Sequence, residues 1–152
     1  MAWEINTVRN TAGQEEFLPL TAWAGNIRAY SIAIFTEGEM KVVYVAGPYR
    51  APTEYGVLLN IQLAERLALK VWMAGAACIC PHKNTAFFGG AAHDDVWLKG
   101  DLEIIRRCDA IICMEGWEKS VGASGEVALA KQLGIPVFER FEECEIWLKS
   151  QE

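Results

Sequence analysis

The chain has 152 residues, 52% of them hydrophobic and 22% charged, with a formal net charge of −6. That size and balance describe one soluble globular domain with room for a real core, and they exclude a disordered chain. No basic block offsets the acidic balance, which argues against a nucleic-acid polymer as partner; a small anionic ligand needs only a local positive site.

Five cysteines, Cys78, Cys80, Cys108, Cys113 and Cys144, make an odd number and lie mostly in apolar runs. Reduced thiols acting as small hydrophobes are expected, and with them a cytoplasmic setting. No apolar run reaches transmembrane length, and no basic segment followed by an apolar one marks a leader, so no membrane association is expected.

In chain order, residues 1–39 read as a small N-terminal β extension. Phe17 to Trp23 and Ile27 to Phe35 are apolar runs separated by Ala24-Gly25-Asn26, a hairpin signal, with Pro19 pushing the first run to an edge. Residues 40–152 read as the main domain. Val42 to Ala46 is a short, continuous apolar strand broken by Gly47-Pro48-Tyr49-Arg50. Apolar residues at Val57, Ile61, Ala64, Leu67, Ala68 and Val71 then predict a helix to Met73, stopped by Gly75. Ala76 to Cys80 is a second buried strand ended by Pro81. The loop from His82 to His93 is long enough for a lid or binding loop. Asp95 to Cys108 reads as a helix with Val96, Leu98, Leu102 and Ile105 on its apolar side. Ala110 to Met114 is the third strand, followed by a Gly/Ser loop, a helix ending at Gly134, a strand at Pro136 to Phe138 and a closing helix from Glu142 to Lys149.

Strands apolar on both faces, alternating with helices, predict an α/β fold: a parallel sheet covered by helices on both sides. Ligands of such sheets bind at the carboxyl ends of the strands, near the topological switch point. Two segments meet that description, Gly47 to Arg50 and Gly116 to Glu126.

Each carries two readings. Gly47-Pro48-Tyr49-Arg50 is an ordinary strand-to-helix turn, or a turn that places Arg50 against a phosphate. It lacks the ending of a P-loop and the spacing of a dinucleotide fingerprint. In Ser120-Val-Gly-Ala-Ser-Gly-Glu126, loop N–H groups meet a helix N-terminus, a natural anion site. There Ser120 suits a ligand and Ser124 suits the helix N-cap. Glu126 is either a favourable first-turn charge or a carboxylate held beside a bound phosphate. Asp101 faces water or the pocket, and Asp109, just before a strand, reads as structural. Cys78-x-Cys80-Pro81-His82 does not have the spacing of a zinc finger or deaminase, and strand alternation places both cysteines on one face, so no metal is expected.

Taken in order, Tyr44-Val-Ala-Gly-Pro-Tyr-Arg50, Asp101-Leu-Glu-Ile-Ile-Arg-Arg-Cys-Asp109 and Ser120-Val-Gly-Ala-Ser-Gly-Glu126 resemble the nucleoside 2-deoxyribosyltransferase-like superfamily over roughly residues 41–140. The resemblance implies a flavodoxin-like (Rossmann-like) sheet, no cofactor, a homo-oligomer and chemistry at the N-glycosidic bond of a nucleoside or nucleotide. It implies a catalytic Glu126, a paired Asp101 and a pocket tyrosine, Tyr44. Within the superfamily, Ser120 and Arg50 match the deoxynucleoside 5′-monophosphate N-glycosidase branch better than the transferase branch. The expected phosphate and substrate contacts are Gly47, Pro48, Tyr49, Arg50, Ser120 and Gly122, with Trp117 as one of the aromatics that could stack on the base. The alternatives are a transferase, a non-catalytic nucleotide sensor using the same pocket, or an interaction module.

Overall fold

The computed structural model describes residues 8–9, 15–16 and 40–151. The chain divides into two units, Met1–Glu39 and Met40–Glu152. In the first, β1 (Val8–Arg9) and β2 (Glu15–Glu16) pair antiparallel, Val8 opposite Glu16 and Arg9 opposite Glu15. The hairpin expected around Ala24-Gly25-Asn26 lies outside the described residues.

The second unit is a four-stranded, all-parallel sheet with helices on both faces. Its elements in order are β3 (Val42–Ala46), α1 (Glu54–Met73), β4 (Ala77–Ile79), α2 (Pro81–Asn84), α3 (Asp94–Ile105), β5 (Ala110–Cys113), a single 3₁₀ turn (Trp117–Lys119), α4 (Val121–Leu133), β6 (Val137–Phe138) and α5 (Phe141–Lys149). The spatial order is β4-β3-β5-β6. Val43 of β3 stands beside Cys78 of β4 and Ala110 of β5, and Ile111 of β5 beside Val137 of β6. Among the described residues no helix is long and apolar enough to cross a membrane.

The two-residue period of a strand sorts the core into two layers. Val43, Val45, Ala110 and Ile112 face one way and pack against Ala64, Ala68 and Val71 of α1 and Cys144 and Leu148 of α5. Tyr44, Ala46, Ile111 and Cys113 face the other way, against Ile105 of α3 and Val127 and Ala130 of α4. Both layers carry thiols. Cys78 and Cys80 share the first layer with Cys144, as strand alternation requires, and Cys108 and Cys113 belong to the second.

Several boundaries move relative to the sequence pattern. Helix α1 begins at Glu54, before the first periodic apolar residue, because the Thr53 side chain caps it by accepting from the Gly56 amide at 3.1 Å. It ends at Met73, and Gly75 turns away with φ +86°. The expected loop after β4 contains the short helix α2, with Pro81 at its first position where a missing N–H costs nothing. Helix α3 stops at Ile105 rather than Cys108. Its first turn also departs from expectation: Val96 and Leu98 are exposed. Asp94, Asp95, Trp97 and Leu98 line a cavity, so this turn does not press on the sheet. Asp109 is structural, as expected. Its carboxylate accepts from the Val42 amide at 2.7 Å, while its own amide donates to the Val42 carbonyl at 2.8 Å, fixing β5 against the start of β3.

Candidate functional site

The chain leaves β3 towards β4 on one side and then crosses to β5 on the other, so β3 and β5 flank the switch point of the sheet. At their carboxyl ends lies a cavity of about 940 Å³. Its wall is built from the turn after β3, α2, the start of α3 and the N-terminal turns of α4.

Glu126 enters this wall from α4. The buried stripe of that helix is Ala123, Glu126, Val127 and Ala130, so helical periodicity places a carboxylate where an apolar side chain belongs. The residue is 7% exposed. Behind it, Tyr44 is wholly buried, and its hydroxyl donates to Glu126 Oε1 at 2.8 Å. Tyr44 reaches Glu126 because even-numbered residues of β3 face the α3–α4 layer. Burial pushes the Glu126 carboxyl up to about 7. The Tyr44 hydrogen bond opposes the rise and the charge of Asp101 adds to it. Asp101, half-buried on α3, is pushed up to about 6 by burial. Burial, helped by the negative charges of Glu126 and Asp101, holds the Tyr44 phenol far above the ordinary range, so it remains a donor.

The turn after β3 is fixed from three sides. A Cβ on Gly47 would stand 2.8 Å from Met114 Cβ, so only glycine lets β3 leave the sheet beside β5. Asn60 of α1 donates to the carbonyls of both Tyr49 and Arg50, at 3.1 and 3.2 Å. His82 of α2 donates from Nε2 to the Pro48 carbonyl at 3.2 Å. The Tyr49 hydroxyl in turn accepts from the Phe87 amide at 3.1 Å, tying the following loop to this turn. Arg50 does not stand free: its guanidinium pairs with the Asp94 carboxylate at the start of α3.

Ser120 combines the two roles considered separately in the sequence. It lines the cavity and is the N-cap of α4, its hydroxyl accepting from the Ala123 amide at 3.3 Å. Ser124 is therefore not the cap. It lies inside the helix and donates to the Glu118 carbonyl at 3.2 Å. The amides of Val121 and Gly122, which open the helix at the cavity, have no intrahelical acceptor, and the positive end of the helix dipole adds to them. Lys119 brings a second cation to the wall.

The structure thus brings Gly47, Pro48, Tyr49, Arg50, Ser120, Gly122 and Glu126 to one cavity. Tyr44 and Asp101 are not among the residues of the wall; Tyr44 is hydrogen-bonded to Glu126, and the charge of Asp101 is felt by it. Trp117 is not part of the wall. Its ring packs on the α3–α4 core layer, with Lys131 Nζ 5.9 Å from the ring centroid. Four wall or clamp residues were not singled out as such in the sequence: Asn60, His82, Asp94 and Trp97. Asn60 carried no distinct signal, since the same helix also holds Gln62, Glu65, Arg66 and Lys70. Nor did Trp97, because an aromatic in an amphipathic helix reads as core. Among the described residues no group of three His, Cys, Asp or Glu side chains converges as metal ligands.

The family described as "Domain of unknown function (DUF4406)" matches residues 41–139, which spans the sheet and every residue of the cavity wall. A search of curated proteins finds no match to the chain.

Proposed function

Since this chain belongs to the DUF4406 family, which prescribes no activity, we propose from the site itself that it cleaves the N-glycosidic bond of a nucleoside 5′-monophosphate, with Glu126 as nucleophile. The observation that carries the reading is the buried Tyr44–Glu126 pair at the switch-point cavity, 2.8 Å from hydroxyl to carboxylate. Burying a carboxylate on a core stripe costs stability, and one that is buried in a cavity wall is a candidate functional group. Here it is held by one donor and opens onto space for a ligand. The ordered likeness of the three segments to nucleoside 2-deoxyribosyltransferase-like proteins supports the same chemistry.

In this mechanism the ionised Glu126 attacks C1′ of the sugar as the base departs, forming a glycosyl-enzyme ester that water then hydrolyses. The Tyr44 hydroxyl holds the attacking carboxylate in place. Asp101, acting through water, delivers a proton to the leaving base and later takes one from the attacking water. The 5′-phosphate is held by the Val121 and Gly122 amides, the Ser120 hydroxyl, Lys119 and Arg50, which exchanges Asp94 for phosphate. Binding energy at the phosphate fixes C1′ against the carboxylate.

The test is incubation with deoxyribo- and ribonucleoside 5′-monophosphates, with free base followed by chromatography. At least one substrate should release base, and Glu126→Ala should lower the rate by about a thousandfold or more while the circular dichroism spectrum is kept. Undiminished release in that variant removes the proposal. A nucleotide sensor would instead keep its affinity in Glu126→Gln and release no base in either form.

A further inference from the structure

Two rings in the cavity wall carry nitrogens that are removed from water and have no partner among the described residues: His82 Nδ1 and Trp97 Nε1. Such groups are costly to bury unpaired, and an orphan in a binding wall points to a partner supplied by the ligand. Their roles are opposite. His82 is 3% exposed, and because a carbonyl oxygen can only accept, its Nε2 must carry the proton that faces Pro48. Burial lowers the His82 pKa and keeps the ring neutral. Nδ1 therefore holds a lone pair and needs a donor, whereas the Trp97 indole N–H needs an acceptor.

The surroundings of both rings are flat. His82 is paired with Tyr49 (centroids 5.9 Å apart) and Trp97 with Phe88 (5.7 Å), both in tilted arrangements. Flat apolar walls with one donor and one acceptor suit a planar heterocycle that presents an acceptor and an N–H or amino group, and suit a sugar or phosphate poorly.

Resting on the nucleotide reading above, we propose that His82 and Trp97 are the base-recognition residues of this cavity. His82 accepts from an amino or ring N–H of the base, and Trp97 donates to a ring nitrogen or carbonyl. They determine which base is taken and do not touch the reacting atoms.

Calorimetric binding to the full chain carrying Glu126→Gln, so that substrate is not consumed, separates this idea from its premise. The ligands are the deoxynucleoside 5′-monophosphates and 2-deoxyribose 5-phosphate. The best nucleotide should bind at least about tenfold tighter than the sugar phosphate. Trp97→Phe, which keeps a flat ring and removes the N–H, should reduce that ratio several-fold while leaving sugar-phosphate affinity unchanged. His82→Phe should also reduce nucleotide affinity, but it deletes the hydrogen bond to the Pro48 carbonyl that fixes the phosphate turn, so sugar-phosphate affinity should fall with it. Should His82→Phe fail to fold in a thermal melt, Trp97→Phe alone decides. If all nucleotides bind no tighter than the sugar phosphate, or Trp97→Phe keeps the ratio, base recognition by these residues is overturned and the phosphate reading stands. If neither class of ligand binds, the nucleotide reading itself falls and takes this inference with it.

Discussion

Glu126 sets a conflict between stability and chemistry that can be measured. Its folded pKa, about 7 against an ordinary 4.5, means that between these values the unfolded chain has released a proton that the folded chain keeps. Stability therefore falls as pH rises through that window, by an amount on the order of 3 kcal/mol if the residue acts alone. Glu126→Gln removes the charge and keeps the shape. It should melt at a higher temperature than the parent at pH 8, and the gap should close by pH 5; a constant gap would mean that burial of the charge is not the cause. Under the proposed mechanism base release needs Glu126 ionised and Asp101 protonated, so it should rise with pH on the acid side, peak between about 6 and 7 and fall at higher pH. Tyr44→Phe deletes the hydrogen bond that opposes the rise, so the acid limb of its pH–rate profile should move to higher pH. Glu126 stood out in the sequence by its place after a Gly/Ser loop and its spacing from Ser120, with Asp101 and Tyr44 upstream; that it sits on the buried stripe of its helix came from the structure. The roles of Ser120 and Ser124 were not, since choosing the cap depends on where the helix starts to within a few residues.

At the scale of elements, the first turn of α3 and the turn after β3 hold each other across the cavity through Arg50 and Asp94. An exposed pair of this kind contributes little to stability, but it occupies a cation to which the proposed function gives the phosphate. Asp94→Ala should leave the melting temperature nearly unchanged and tighten nucleotide 5′-monophosphate binding several-fold, read by calorimetry; weaker binding would show that Asp94, rather than Arg50, meets the ligand. The sequence placed Arg50 at a strand end and could not show its pairing, which joins residues 44 positions apart. It placed Val96 and Leu98 on the apolar side of their helix because of their spacing, but both are exposed, and Leu98 lines the cavity. The strands and their layers were the most legible, since short apolar runs alternating with helices leave few arrangements other than a covered parallel sheet. Their order had to come from the structure, and it is the order that puts the site at the carboxyl ends of β3 and β5.

Across the whole second unit, both helix layers are built on the same two strands. Val43 and Val45 serve one side, Tyr44 and Ala46 the other, and β5 is shared in the same way. Neither layer can lose its footing without exposing the other, so the unit should open as one. The four buried thiols, Cys80, Cys108, Cys113 and Cys144, supply an internal clock for that event. Burial pushes Cys108 and Cys144 up to about 11 and Cys78 and Cys113 up to about 12, with Cys80 raised as well. A thiol-specific alkylating reagent at neutral pH therefore finds almost no thiolate in the native chain and must wait for it to open. Peptide mass spectrometry should show Cys80, Cys108, Cys113 and Cys144 becoming modified in step, and all of them more slowly when a ligand fills the cavity. Modification of Cys108 and Cys113 well ahead of Cys144 would mean that the layer carrying Glu126 lifts from the sheet by itself, making the support of that carboxylate a separately melting part of the molecule.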